Sequence, residues 1–224
     1  MINSKQQEGL FANAASKLKN KITCYAAGGT AMLFYGLKET TKDIDLIFTA
    51  EKDRQQFIDA IQELGYKSMN PIKIYGKKEN RPMMLTRGDE RFDLFLIKVI
   101  SFSLSKTMQE RCEQTHEYGS KLVLKIMNPH DILLMKCATD RIKDREDARS
   151  IIENIKINWK SIIDEANSQV IHGHEKKAVF ELGCFLDEIK TELNVNVPQW
   201  VIEELYSLLE EETKKQVKNP NKKA

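Results

Sequence analysis

The stretch YAAGGTAMLFYGLKETTKDIDLIF, from Tyr25 to Phe48, limits the possible folds of this chain more than any other segment. Ile22 to Ala27 is compact, apolar and partly β-branched, which predicts a short strand, and Gly28-Gly29 ends it. A short helix from Thr30 to about Tyr35 should follow. Asp43 to Phe48 alternates acid and apolar residues before running fully apolar, as a sheet strand with one face near a site does. Alternate side chains on a strand share a face, so Asp43 and Asp45 project together about 7 Å apart while Ile44, Leu46 and Phe48 enter the core. The chain must therefore hold two like charges close to a glycine corner.

A divalent cation would remove the repulsion, because hard Mg²⁺ takes carboxylate oxygens and keeps positions open for water and phosphate. The segment RFDLFLIKVI, Arg91 to Ile100, is the strongest strand signal in the chain, and its aromatic and β-branched residues surround one acid, Asp93. A charge buried in such a strand needs a partner, and Asp93 becomes a third ligand if this strand lies beside the first. A strand that ends in Gly-Gly and turns into a helix presents bare backbone N–H groups and a positive helix end, which suit a triphosphate, and Thr30 adds a hydroxyl. Phosphate cradle and carboxylates at corresponding strand ends are what nucleotidyl transfer requires, since its catalysis is mostly positioning and charge neutralisation.

The remainder of the chain divides by character. Leu10, Phe11, Ala14, Ala15 and Leu18 recur at helical spacing in an amphipathic opening helix, and Phe57, Ile58, Ile61 and Leu64 define another that Gly65 closes. Between Tyr66 and Glu90, Ile72 to Tyr75 and Met83 to Thr86 are candidate strands. Beyond Asn128 the pattern is almost continuously helical: Asn128-Pro129-His130-Asp131 is a helix start, and further helices are expected over 159–167, 175–193 and 199–215. The expected architecture is an α/β mixed-sheet domain with flanking helices over residues 1–126, an α-helical domain over 127–215 and a basic tail over 216–224. Lys and Arg total 35 against 33 Asp and Glu, a formal charge of +2, so nucleic-acid binding would have to rest on a local patch. No apolar run approaches a membrane span, and the N-terminus has no signal-peptide pattern, which predicts a cytoplasmic protein. The scattered cysteines Cys24, Cys112, Cys137 and Cys184 form no C-x-x-C pair and are expected as buried thiols.

Ala27-Gly28-Gly29, the spacer from Thr30 to Lys42 and Asp43-Ile44-Asp45 together resemble the DNA polymerase β-like nucleotidyltransferase superfamily. GGTAMLFYGLKETTKDIDL is especially similar to the prokaryotic group that includes AbiEii-type toxins and minimal nucleotidyltransferases. DILLMKCATDRIKDREDA is similar to that group's helical motif through Lys136, Arg141, Lys143 and Asp144. The resemblance implies Asp43, Asp45 and Asp93 as catalytic residues and ligands of Mg²⁺ or Mn²⁺, with Asp93 as base. It places Gly28, Gly29 and Thr30 at the triphosphate of an NTP, adds Lys42 and Lys143 to the nucleotide contacts, and turns Lys136 toward the nucleotide. It suggests a tRNA or other RNA end as acceptor, then a protein hydroxyl, then a small molecule, and a cognate antitoxin as a further partner. One departure stands out: relatives often carry a basic residue shortly before the Thr-x-Asp of the spacer, where this chain has Glu39, flanked by Lys38 and Lys42.

Each feature has a plainer reading. Gly-Gly pairs are mostly turns, and Asp-x-Asp is commonly a loop pair or cap; their order and spacing give them weight. Lys136 has the setting of a lysine that snorkels to the surface, and Asp144 that of a cap for the next helix together with Asp147. His172-Gly173-His174 lacks a matching cysteine or acid and is assigned no metal. Trp159 and Trp200 fall on apolar helix faces and are expected in the core. The competing reading of the whole chain is a non-catalytic module that binds nucleotide or a partner protein within a toxin-antitoxin pair.

Overall fold

The computed structural model describes residues 1–139, 141–173 and 175–218. In chain order the elements are β1 (Ile2–Asn3), α1 (Ser4–Lys17), β2 (Ile22–Ala26), α2 (Gly28–Phe34), β3 (Thr40–Thr41), β4 (Ile44–Phe48), α3 (Glu51–Glu63), β5 (Lys67–Met69), α4 (Ile72–Tyr75), β6 (Met83–Arg87), β7 (Glu90–Leu96), β8 (Lys98–Val99), β9 (Phe102–Ser103), α5 (Lys106–Glu110), β10 (Gln114–Tyr118) and β11 (Leu122–Ile126). Helices α6 (Pro129–Lys136), α7 (Ile142–Asn154), α8 (Trp159–Gly173), α9 (Lys176–Glu192) and α10 (Gln199–Lys218) complete the chain. The chain forms two compact units, Met1–Met135 and the helical remainder from Lys136 onward.

In the first unit a mixed sheet runs in the order β10-β11-β2-β4-β7-β6-β5, with β8 and β9 hooked onto the end of β7. Two parallel pairings, β11 with β2 and β4 with β7, sit among antiparallel neighbours. The buried run of β4 follows from this central place: Ile44, Leu46, Ile47 and Phe48 are fully enclosed. Helix α3 covers one face, where Phe57 stands 5.6 Å from both Phe48 and Phe92, ring to ring. Helix α1 begins with a capping box between Asn3 and Gln6 and buries Leu10, Phe11, Ala14 and Ala15. Its Gln7 Nε2 donates to the Thr30 carbonyl, tying α1 to α2.

In the second unit α9 buries Ala178, Val179, Leu182, Phe185, Leu186 and Ile189, while α10 contributes Val201, Ile202 and Leu205. A Cβ on Gly183 would stand 3.0 Å from the Tyr206 ring, so glycine permits the close approach of α9 and α10.

Several expectations need correction. Ile72–Tyr75 is a helical turn, because Pro71 carries a helical φ of −69° and the Asn70 side chain accepts from Ile72 N, which sets the turn locally. The long strand expected to Ile100 stops at Leu96: Ile97 and Ile100 take φ of +60° and +56°, and β8 folds back on β7 through Leu96 and Lys98. Strands β10 and β11 went unanticipated. The first alternates mostly polar residues at a sheet edge, and the parallel β11–β2 pairing joins segments a hundred residues apart. Trp200 is 51% exposed and Cys184 is exposed, against core placements for both. The doublet partner His174 and the end of the basic tail, 219–224, lie outside the described residues. No helix among the described residues is long and apolar enough to cross a membrane.

Candidate active site

The site grows from strand register. Strands β4 and β7 pair in parallel with Asp45 opposite Asp93 and Ile44 opposite Phe92; Arg91 lies one step back on β7, and Asp43 immediately precedes β4. The two-residue period sets Arg91 and Asp93 toward one face of β7, where the Arg91 guanidinium brings Asp43 and Asp93 together. Asp93 is completely buried, while the Asp43 side chain keeps 15% of its exposure.

Gly28 brings the glycine corner directly against these acids. Its φ is +51°, which a side chain would resist, and a Cβ there would stand 2.6 Å from Asp45 Oδ2. A Cβ on Gly29 would meet Thr41 Oγ1 at 2.4 Å and lie 3.9 Å from Lys38 Nζ. The glycines are thus part of α2, its first turn, and a side chain at either would collide with Asp45 or Thr41, which already pack against the corner. Ala27 N donates to Asp45 O at 3.1 Å, locking the end of β2 to β4. The Thr30 hydroxyl is fully buried, accepting from Asp45 N at 2.8 Å and donating to Asp43 O at 3.4 Å, so it fixes the backbone that carries both aspartates.

Two residues that sequence reasoning gave no role complete the constellation. Arg91 Nε donates to Asp93 Oδ1 at 2.9 Å, its Nη2 donates to Asp93 Oδ2 at 3.1 Å, and the same Nη2 reaches Asp43 Oδ2. The Tyr75 hydroxyl donates to Asp93 Oδ2 at 2.8 Å. Arg91 was legible only as an i, i+2 neighbour of Asp93, and Tyr75 gave no signal because α4 was misread. Lys38, flanking the departure at Glu39, sets its ammonium beside the Gly29 corner, whereas Lys42 is exposed.

The donors Asp43, just ahead of β4, Asp45 on β4 and Asp93 on β7 are of the type a hard divalent cation takes. Among the described residues, however, no cluster of three or more His, Cys, Asp or Glu side chains stands arranged around a cation position. The Arg91 guanidinium lies between Asp43 and Asp93 and already supplies positive charge to both.

Lys136 and Lys143 belong to the second unit. Lys136 is 7% exposed and donates to Asp144 Oδ1 at 3.0 Å and Asp147 Oδ2 at 2.6 Å, a buried charge cluster in place of a snorkelling side chain. Burial by itself would lower the Lys136 pKa, but the two carboxylates outweigh it and hold the ammonium above its ordinary value. Burial likewise pushes Asp144 upward and is outweighed by Lys136 and Arg141, leaving its carboxyl below the ordinary range. Asp144 is not a helix cap: Arg141 occupies the N-cap of α7 without a side-chain cap bond, and the Asp144 carboxylate takes donors from Lys136, Arg141 and Thr139. A buried ammonium needs its counter-charges more than a helix end needs a cap. Lys143 is half-buried on α7.

A mixed sheet with facing aspartates on adjacent parallel strands and a glycine corner pressed against them defines a nucleotidyltransferase-type domain. Over residues 9–193 the chain matches the family described as nucleotidyltransferases of unknown function (DUF6036), and it belongs to that family. Comparison with the curated proteins finds no match.

Proposed function

We propose that this nucleotidyltransferase moves a nucleoside monophosphate from an NTP to a hydroxyl, with an RNA end such as that of tRNA as the first acceptor and a protein hydroxyl as the second. The observation that carries the reading is the register of β4 and β7, which sets Asp45 directly opposite buried Asp93 with Gly28 against Asp45. Gly28 and Gly29 open the first turn of α2 against Asp45 and Thr41, which brings backbone N–H groups to the carboxylates, and Lys38 brings a cation to the same corner. Thr30 holds Asp43 and Asp45 in place through their backbone. Asp43, Asp45 and Asp93 are the residues that would hold Mg²⁺ or Mn²⁺, which when bound would neutralise the polyphosphate and the developing charge at the α-phosphorus. Asp93, whose carboxylate takes the Tyr75 hydroxyl and the Arg91 guanidinium, is the residue we assign as base for the acceptor's proton. Toxin-like action, with an antitoxin as partner, is a finer reading that rests on sequence resemblance.

Purified protein incubated with each α-labelled NTP, Mg²⁺ or Mn²⁺ and total RNA should transfer label. Asp45→Asn should lower the rate by about a hundredfold or more, the scale on which one preorganised electrostatic group acts. Absence of label on RNA and protein, with no NTP bound, would leave a non-catalytic module as the better description.

A further inference from the structure

We propose that the basic segment from Lys67 to Arg81 is the surface that holds the phosphate backbone of an RNA acceptor and leads its end to Asp93. The inference deepens the reading of the site as a nucleotidyltransferase centre, and rests on it for where the reacting end must lie.

The chain as a whole is nearly neutral, so a nucleic-acid surface has to be local. KSMNPIKIYGKKENR, residues 67–81, carries five basic residues against the single acid Glu79. Strand register places this segment beside the site. Lys67 pairs with Thr86 and Thr86 with Arg91, and residues directly opposite on paired strands share a face. Lys67 therefore stands on the face that carries Asp93, about 10 Å from Arg91 across two strand spacings. From β5 the chain turns through α4 over the same face, where the Tyr75 hydroxyl donates to Asp93 Oδ2 at 2.8 Å and the Tyr75 ring meets Phe95 edge-on at 6.2 Å. Tyr75 is 7% exposed, while Lys73 before it and Lys77 after it are open to solvent. One buried side chain thus pins a basic turn to the assigned base. The turn is braced as well: Asn80 Nδ2 donates to Ile100 O at 2.8 Å, and Arg81 Nη1 donates to the carbonyls of Gly76 and Lys78. A backbone already held loses little further freedom when a ligand binds.

The exposed groups suit a polynucleotide. Lys67, Lys73 and Lys77 make no ion pair among the described residues, whereas Lys160 and Lys177 each face an acid one helical turn away. Ammonium groups without a carboxylate neighbour are available to phosphate, and each such contact releases counterions. Ile72 and Ile74, in the same turn, are 53% and 38% exposed. Charged groups interleaved with apolar ones match a strand that has a phosphate backbone and flat bases. A lipid surface fits the same composition, but laid against this turn it would cover the face that holds the site.

The test needs neither metal nor NTP: anisotropy of a 5′-fluorescein single-stranded RNA with a free 3′-hydroxyl, titrated with the full chain in EDTA at several salt concentrations. The variant Lys67→Gln/Lys73→Gln/Lys77→Gln should bind about tenfold more weakly or worse. Its slope of log affinity against log salt should fall by about 2, as three phosphate contacts at about 0.7 each require. Lys5→Gln/Lys17→Gln/Lys19→Gln removes the same charge from α1 and should keep the parent's slope. All six lysines are exposed, so both variants should melt with the parent. No RNA binding by the parent, undiminished binding by the first variant, or equal loss in both overturns the proposal. So does loss of capture by phosphatidylserine vesicles with RNA binding intact, which would make the segment a membrane contact. In the label-transfer assay the first variant should raise KM for RNA and leave kcat near the parent's. Transfer to RNA at an unchanged KM sinks this inference alone. Segment-dependent RNA binding with no label transferred from any NTP sinks the transferase reading and leaves the RNA surface standing.

Discussion

At the scale of single residues, Gly28 is the position where chemistry leaves least freedom. Two independent facts exclude a side chain there: the left-handed φ of +51°, and the 2.6 Å that would separate a Cβ from Asp45 Oδ2. Gly28→Ala should destabilise the first unit by about 1–3 kcal/mol, the left-handed backbone alone accounting for about 1–2 kcal/mol. It should also depress nucleotide transfer toward the level of Asp45→Asn, because the methyl displaces that carboxylate. Gly9→Ala is the matched control, an exposed helical site with nothing within 4 Å, and should stabilise by about 0.5–1 kcal/mol. Denaturant unfolding of the two variants measures both effects. The carboxylates themselves could be read from the chain because each acid interrupts an apolar strand. Arg91 and Tyr75 could not, since an arginine at a strand start and a tyrosine in an ambiguous turn are ordinary until register brings them onto Asp93.

At the scale of elements, the start of α7 shows how a local signal yields to a longer-range need. Asp-Arg-Glu-Asp at Asp144 to Asp147 has the composition of a capped helix start, yet Asp144 and Asp147 turn to Lys136 and are buried with it. Lys136→Met would leave two buried carboxylates short of their partner, and should cost about 3–5 kcal/mol. The signs of the pKa shifts define a pH window. Lys136 lies above its ordinary 10.5 in the folded protein, so its contribution is complete below that pH and is lost as pH rises through the folded value. Asp144 lies below its ordinary 3.8, so its contribution is complete above that pH and is lost as pH falls through the folded value. Stability of the helical unit should therefore be flat in this component between those limits and fall beyond them, and Lys136→Met should flatten the acid and alkaline limbs. Both tryptophans of the chain, Trp159 and Trp200, lie in this unit, so tryptophan fluorescence against denaturant at several pH values follows it directly.

At the scale of the molecule, the thiols report burial across both units. Cys24, Cys112 and Cys137 are buried, and burial raises the Cys24 thiol far above the usual range and Cys112 to about 12. A thiol-reactive disulfide reagent at pH 8 should therefore modify one cysteine quickly, exposed Cys184, and the other three only as the protein unfolds. Fast reaction of two or more thiols would contradict the burial of Cys24, Cys112 and Cys137. The sequence by itself determined what short-range pattern can carry: the strand–glycine–helix corner, the apolar strand around Asp93, and the change to helices after Asn128. Those follow from side-chain period and from steric rules within a few residues, which do not depend on the rest of the chain. Only the tertiary structure decided the register that sets Asp45 against Asp93, the joining of β11 to β2, the guanidinium between Asp43 and Asp93, and the burial of Lys136. Those depend on which distant segments share a sheet or a core, and on where a buried charge finds its partner, and neither is encoded in local spacing.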